Sequence, residues 1–482
     1  MSTRKSLAFS FLDRYASLFI GIVSSMIIAR LLSPGDIGVF SVTMVLLAFV
    51  ATVRDLGAGQ YLVQEKELTT DRIRAVWAVQ LGLGLLLACV VLVASGPVSR
   101  FYSEPRMKAI MLVVALTYAI NPFGSLTFAW QMRAMRFDII TVIRFSATLA
   151  GAVISALLAW QGYGPISLAL GSLASTVVNA LMATFFRPPD FPWLPGVRDI
   201  KRVLSFGSRL TATSILNTGA DGAPELLLGK LQNMTATGLY SRAHGLVSMV
   251  GRLLIETTYS VAMSWFAKHS REKGSFAEPF LRAISYVSAL GWSLCLAIVL
   301  LAHPIVRLLY GPQWDQSVDV ARLLAVGMLC NLLTAICLAA LVAAGAVTKI
   351  LHTTLVSTVI AVALAFFGAY AGLFALGFAM LSVAFINGAI WMIVTQRVVQ
   401  FSWRNLWGVF SKSAVVAITS AIAPFGAFAY FGPQPEGFIL PLALGGPGCL
   451  AGFLFAVLVF NHPLGEELRP TFLKVNRWLT NA

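Results

Sequence analysis

Eleven charged residues stand where an apolar chain accommodates them least. Arg14, Arg30, Arg54, Arg209, Arg242 and Arg252, with Asp13, Asp55, Asp221, Glu225 and Glu256, fall inside long hydrophobic runs. A charged side chain at the centre of a bilayer costs at least about 2.5 kcal/mol, so each should face water, a partner or a ligand. The planar guanidinium fork suits bidentate capture of a phosphate. The six arginines are therefore candidate ligands for a phosphate-bearing substrate, and the five acids are candidates to carry a coupling H+ or Na+. Plainer readings stand beside these. Arg14 and Arg30 lie near segment ends and could snorkel to the interface. Arg252 and Glu256 are spaced for an i,i+4 ion pair. Arg54 and Asp55 are adjacent, so on a helix they point about 100° apart and need not pair. The run 217–225 (NTGADGAPE) holds Gly219, Gly222 and Pro224, which weaken a helix and remove a backbone donor. Beside charges, such a run reads as a hinge or binding site, or else as a packing kink.

The elements that must position these groups follow from composition. Of 482 residues, 58% are hydrophobic and 11% charged, and the mean hydropathy is +0.81. That excludes a water-soluble globule and a disordered chain. Unbroken runs such as 82–94 (GLGLLLACVVLVA) exclude the alternation of a β-barrel. The expectation is an all-α integral membrane protein of about 14 spans, near 11–32, 37–60, 74–96, 107–130, 142–160, 165–186, 203–228, 235–264, 280–301, 320–345, 350–370, 372–396, 411–431 and 438–460. With the N-terminus cytoplasmic, the inside segments hold 23 Lys and Arg and the outside segments 6. This bias predicts both termini in the cytoplasm and explains the net charge of +15 without a nucleic acid partner. The first helix is read as retained, not as a signal peptide. All eleven in-span charges fall on spans 1, 2, 7 and 8, which points to a wet cavity. Polar residues in or beside spans (Gln60, Gln80, Asn121, Gln131, Asn217, Asn331) suit such a lining.

The chain repeats itself. Shifted by 200 residues, Arg30-Leu31 falls on Lys230-Leu231, and 38–41 (GVFS) on 238–241 (GLYS). At a shift of 207, Pro97, Arg100 and Tyr102 approximate Pro304, Arg307 and Tyr310. An offset of six spans gives two lobes of like orientation with a cavity between them. The expected organisation is an N-lobe over 1–186 and a proline-stiffened linker over 187–202, whose four basic residues suit anionic lipids. A C-lobe follows over 203–397, then two further spans over 398–460 and a tail over 461–482. In the tail, Leu468, Phe472, Val475 and Leu479 are spaced for an interfacial helix. The five cysteines sit in apolar runs and the five histidines are scattered, so no metal or other cofactor is expected. Walker A, HExxH and GxSxG patterns are absent from the sequence, which reads as a non-enzyme.

Residues 27–42 (IIARLLSPGDIGVFSV) and 54–69 (RDLGAGQYLVQEKELT) carry a resemblance. So do 98–107 (VSRFYSEPRM), 131–139 (QMRAMRFDI) and 226–246 (LLLGKLQNMTATGLYSRAHGL). Together they resemble the polysaccharide flippases, the PST or Wzx-like branch of the MOP superfamily. The wording is nearest to exporters of exopolysaccharide or lipopolysaccharide. The resemblance implies alternating access between the lobes. It also implies transfer of an undecaprenyl-pyrophosphate-linked oligosaccharide across the bacterial inner membrane, with a polysaccharide polymerase and glycosyltransferases as partners. One departure concerns an acid that family members often carry shortly before the glycine corresponding to Gly229. Here Pro224-Glu225 occupies that stretch and Asp221 lies further off. The rival readings are a MATE-like ion-coupled small-molecule exporter and a membrane scaffold or polymerase of a polysaccharide assembly complex.

Overall fold

A computed structural model of the chain describes residues 3–55, 58–65, 67–188, 191–192, 194–271 and 276–466. The tail expected to form an interfacial helix lies outside them. So do the side chains of Asp13, Arg14, Asp55, Arg209 and Glu256. The described residues form helices and no strand. The chain divides into two compact units, 1–238 and 239–482.

The first unit contains α1 (Thr3–Leu31), α2 (Pro34–Asp55), α3 (Ala58–Gln64), α4 (Thr70–Phe101), α5 (Arg106–Ile120), α6 (Pro122–Arg133), α7 (Phe137–Trp160), α8 (Ile166–Phe185) and α9 (Ile200–Leu231). Helix α10 (Met234–Arg271) begins at its end and runs into the second unit. There it is followed by α11 (Ala277–Leu309), a 3-10 turn (Pro312–Ser317), α12 (Val318–Ala343), α13 (Val347–Ala371), α14 (Leu373–Val399), α15 (Trp403–Phe431) and α16 (Ile439–Val459).

Each predicted span falls on a helix, the fourth on the pair α5–α6. The number that meets the length and hydropathy for crossing a bilayer is smaller than fourteen. It is ten among the described residues, or eleven if the bent pair is one span. Helices α1, α9 and α10, each with side chains outside the described ones, are not among them.

Helix α9 is continuous through the hinge candidates Gly219, Gly222 and Pro224 to Leu231. A bend that the sequence reading did not mark lies in the fourth span, where α5 and α6 meet at 48°. Pro122 is the first residue of α6 and cannot donate to the preceding turn. The glycines of α9 serve close packing on α2: a Cβ at Gly229 would come within 2.7 Å of Val42 Cγ2, and one at Gly222 would run into Val45. This draws α9, which the repeat assigns to the second lobe, into the first unit.

The duplication is visible in the helix ends. Helices α1 and α9 stop at Leu31 and Leu231, and α2 and α10 start at Pro34 and Met234. The residue before each start caps it. Ser33 Oγ accepts from the Asp36 amide at 3.2 Å, and Asn233 Oδ1 accepts from the Ala236 amide at 2.8 Å. Just inside these caps the two glycines of the repeat face each other's chain. A Cβ on Gly38 would strike the Met234 carbonyl, and one on Gly238 would strike the Pro34 carbonyl. The contact is reciprocal at a shift of 200.

The linker is not left to lipid. Arg187 stacks over Trp77 and Phe191, at 5.0 and 4.9 Å from their ring centroids. Arg74 Nε donates to the Leu194 carbonyl at 3.1 Å, and the Gly196 amide donates to the Arg74 carbonyl at 2.9 Å. Arg198 pairs with Asp71 at 3.3 Å. Two of the four basic residues read as lipid contacts are thus engaged by protein.

In the second unit a buried polar knot fastens the segment after α16. His462, 1% exposed, accepts on Nδ1 from the Leu464 amide at 3.2 Å. That leaves the proton on Nε2, which lies 3.0 Å from Ser285 Oγ and 3.3 Å from Ser413 Oγ. Burial, with Lys412 adding to it, pushes the imidazole down to about 4.

Two outcomes follow from this packing. Gly38→Ala and Gly238→Ala should each destabilise the protein by about 1–3 kcal/mol, because each overpacks the same crossing, as read by thermal unfolding in detergent. The neutral His462 contributes fully above the ordinary value of about 6.5, and that contribution is lost as pH falls towards about 4. At pH 5 the loss should be about 2 kcal/mol, so the fall in unfolding temperature between pH 7 and pH 5 should be smaller in His462→Gln.

Candidate functional site

Helices α2 and α9 run antiparallel along a seam of small and polar residues. From one end to the other, Gly229 meets Val42, Gly222 meets Val45 and Gly219 meets Phe49. Within this seam Ser41 Oγ donates to Glu225 Oε2, and the hydroxyls of Thr52 and Thr218 lie 3.3 Å apart. Glu225 is 8% exposed. A carboxylate at that depth needs a donor, and Ser41 supplies one. Ser41 belongs to the repeated GVFS motif, so its position was marked in the sequence though its role was not.

The other described candidates of this unit differ in setting. Arg54, in the last turn of α2, lies over the ring of Tyr118 at 5.3 Å. Its charge also complements the carboxyl end of the helix. Tyr118 is fixed in turn by donating to the Leu47 carbonyl at 2.6 Å. Asp221, one turn before Glu225, is exposed, as is Arg30 at the end of α1.

In the second unit Arg242 stands over Tyr310 and Trp314, at 5.4 and 5.6 Å from the centroids. Two desolvated rings hold a guanidinium by about 2 kcal/mol or more. Trp314 is fully buried, so the cation rests on a rigid base. Arg252, about three turns further along α10, is exposed. Sequence reasoning named the arginines but missed the rings of Tyr118, Tyr310 and Trp314, which lie far from them in the chain. Tyr310 alone carried a signal, through its echo at Tyr102.

The candidates therefore fall into two kinds. Glu225, Arg54 and Arg242 are engaged by neighbours inside their own unit. Asp221 and Arg252 are exposed. No three His, Cys, Asp or Glu side chains converge as a metal site among the described residues.

The profile of the family described as polysaccharide biosynthesis protein matches residues 27–319. The chain belongs to this family. Among curated proteins, this family member is similar to the lipopolysaccharide biosynthesis protein WzxC of Escherichia coli (strain K12). Identity there is 23% over 311 residues, or 64% of this chain and 63% of that one. It is also similar to the succinoglycan biosynthesis transport protein ExoT of Rhizobium meliloti (strain 1021), with 24% identity over 328 residues, 67% and 65% of the two chains. These matches span somewhat under two thirds of the relatives' own length. Among solved structures, the lipid II flippase MurJ in an inward closed conformation superposes with a TM-score of 0.78. The superposition covers 95% of this chain and 99% of MurJ, at 11% identity. An inward-facing multidrug resistance MATE family transporter of the MOP superfamily gives 0.65, at 14% identity over 80% and 94% of the chains. The polysaccharide biosynthesis family member thus shares the fold of these two structures. WzxC and ExoT bear the names of biosynthesis and transport proteins.

The seam gives a direct test. Ser41→Ala removes a donor from a buried carboxylate and should cost about 1–3 kcal/mol, whereas Glu225→Gln, which needs no charge compensation, should cost less. The ordering is checked by the unfolding temperatures of the purified variants.

Proposed function

We propose that this protein is a flippase. It moves an undecaprenyl-pyrophosphate-linked oligosaccharide, the repeat unit of an exopolysaccharide or lipopolysaccharide, across the bacterial inner membrane. The observation that carries the reading is the pairing of family membership with arginines held in otherwise apolar helices. A family concerned with polysaccharide needs its sugar on the far side of an oily barrier. The polar head crosses only if protein replaces its hydration.

In this reading fourteen spans leave both termini in the cytoplasm, and the two lobes alternate access to a cavity. Arg252 and Arg30 meet the pyrophosphate. Arg54 and Arg242 set the shape and charge of the path from their aromatic seats. Asp221, exposed one turn from Glu225, carries a coupling H+ or Na+. The lipid tail stays in the bilayer, and a polymerase and glycosyltransferases work on either side of the transfer step. The MATE-type likeness keeps an ion-coupled small-molecule exporter as the second reading, and the basic character of these helices favours an anionic cargo over the cationic drugs that an acidic site would take.

Deleting the gene should trap lipid-linked repeat units on the cytoplasmic leaflet; loss of a polymerase would instead leave single units outside. In complementation, Arg252→Ala should lower polymer output about tenfold, the loss of one charge-assisted hydrogen bond, with Arg252→Lys intermediate. Full output from Arg252→Ala at normal protein level, or drug sensitivity with normal surface polysaccharide in the deletion strain, would refute the reading.

A further inference from the structure

The second unit contains a cavity of about 460 Å³ between α10, α11 and the segment that follows α16. Its walls are apolar, including Trp265, Ala283, Val287, Leu290 and Leu464. Among the described residues its charged lining group is Arg282, in the second turn of α11, with Tyr286 beside it. Arg282 Nε donates to the Tyr286 hydroxyl at 2.8 Å, which aims the guanidinium. Its Nη2 reaches Glu466 Oε2 at 3.4 Å. That pair is open to water, the carboxylate being 73% exposed, and an exposed, long pair of this kind contributes little. An anion of higher charge at the same place would displace it.

We propose that this is a seat for one anionic phospholipid. One acyl chain fills the cavity, the phosphate rests on Arg282 and Tyr286, and Glu466 is the built-in competitor that occupies the arginine when no lipid is bound. Three features of the site lead to this occupant. The walls suit hydrocarbon. Arg282 lies near a helix start, where a long basic side chain reaches headgroup phosphate. The segment that supplies both Leu464 and Glu466 is pinned two residues earlier by His462, so wall and competitor move as one piece. This lipid is bound, not transported, so the seat is separate from the cargo path proposed above.

Native mass spectrometry of the purified, delipidated full-length protein tests this, with phosphatidylglycerol and phosphatidylcholine added in turn. Phosphatidylglycerol should bind about tenfold better than phosphatidylcholine, and Arg282→Gln should remove that preference. Ala283→Trp, which fills the cavity, should abolish retention of either lipid. Glu466→Gln should raise phosphatidylglycerol binding severalfold, a gain that misfolding cannot produce. Equal binding of the two lipids, no change in Arg282→Gln, or no gain in Glu466→Gln would overturn the proposal. So would tighter binding of undecaprenyl phosphate than of phosphatidylglycerol, which would assign the seat to the cargo.

Discussion

A charge drawn into an apolar bundle must be answered by the protein around it, and this requirement organises both units. Glu225 is answered by a serine hydroxyl across the α2–α9 seam, Arg54 by the face of Tyr118, and Arg242 by Tyr310 and Trp314. Each answer carries a structural demand. The seam is tight because glycines on α9 admit the side chains of α2. Tyr118 is held by its own hydrogen bond, and the rings under Arg242 include a fully buried tryptophan. The fixed charges are part of the framework. The side chains of Arg252 and Asp221 are instead exposed.

Much of this was readable in advance because hydrophobic run length is a strong signal. Every predicted span found a helix. The repeat was legible from a handful of residues because helix ends are fixed by caps and by the close approach of Gly38 and Gly238, and such positions tolerate few alternatives. What was not legible depended on distance in the chain. Nothing near Arg242 announces Trp314, and nothing near Glu225 announces Ser41. The glycines of α9 are also packing positions, since a Cβ at Gly222 or Gly229 would meet α2, and no spacing in the sequence announces that. The bend at Asn121-Pro122 was passed over because a single proline at the start of a helix is also the ordinary way to begin one.

The basic residues of the linker show the same ambiguity. A cluster of positive charge at a membrane surface is usually assigned to lipid. Here Arg187 lies on two aromatic rings and Arg198 meets Asp71, so the cluster binds the linker to its own unit. Conversely, Arg282, unremarkable in the sequence, sits at the mouth of an apolar hollow. Charge counts orient a membrane protein well, but they do not say which guanidinium is already engaged.

The reciprocal meeting of Gly38 with Met234 and Gly238 with Pro34 bears on assembly. Two copies of a segment that touch each other through equivalent residues form the isologous contact of a twofold homodimer. Here both copies belong to one chain, so the contact forms at a fixed ratio and needs no association equilibrium.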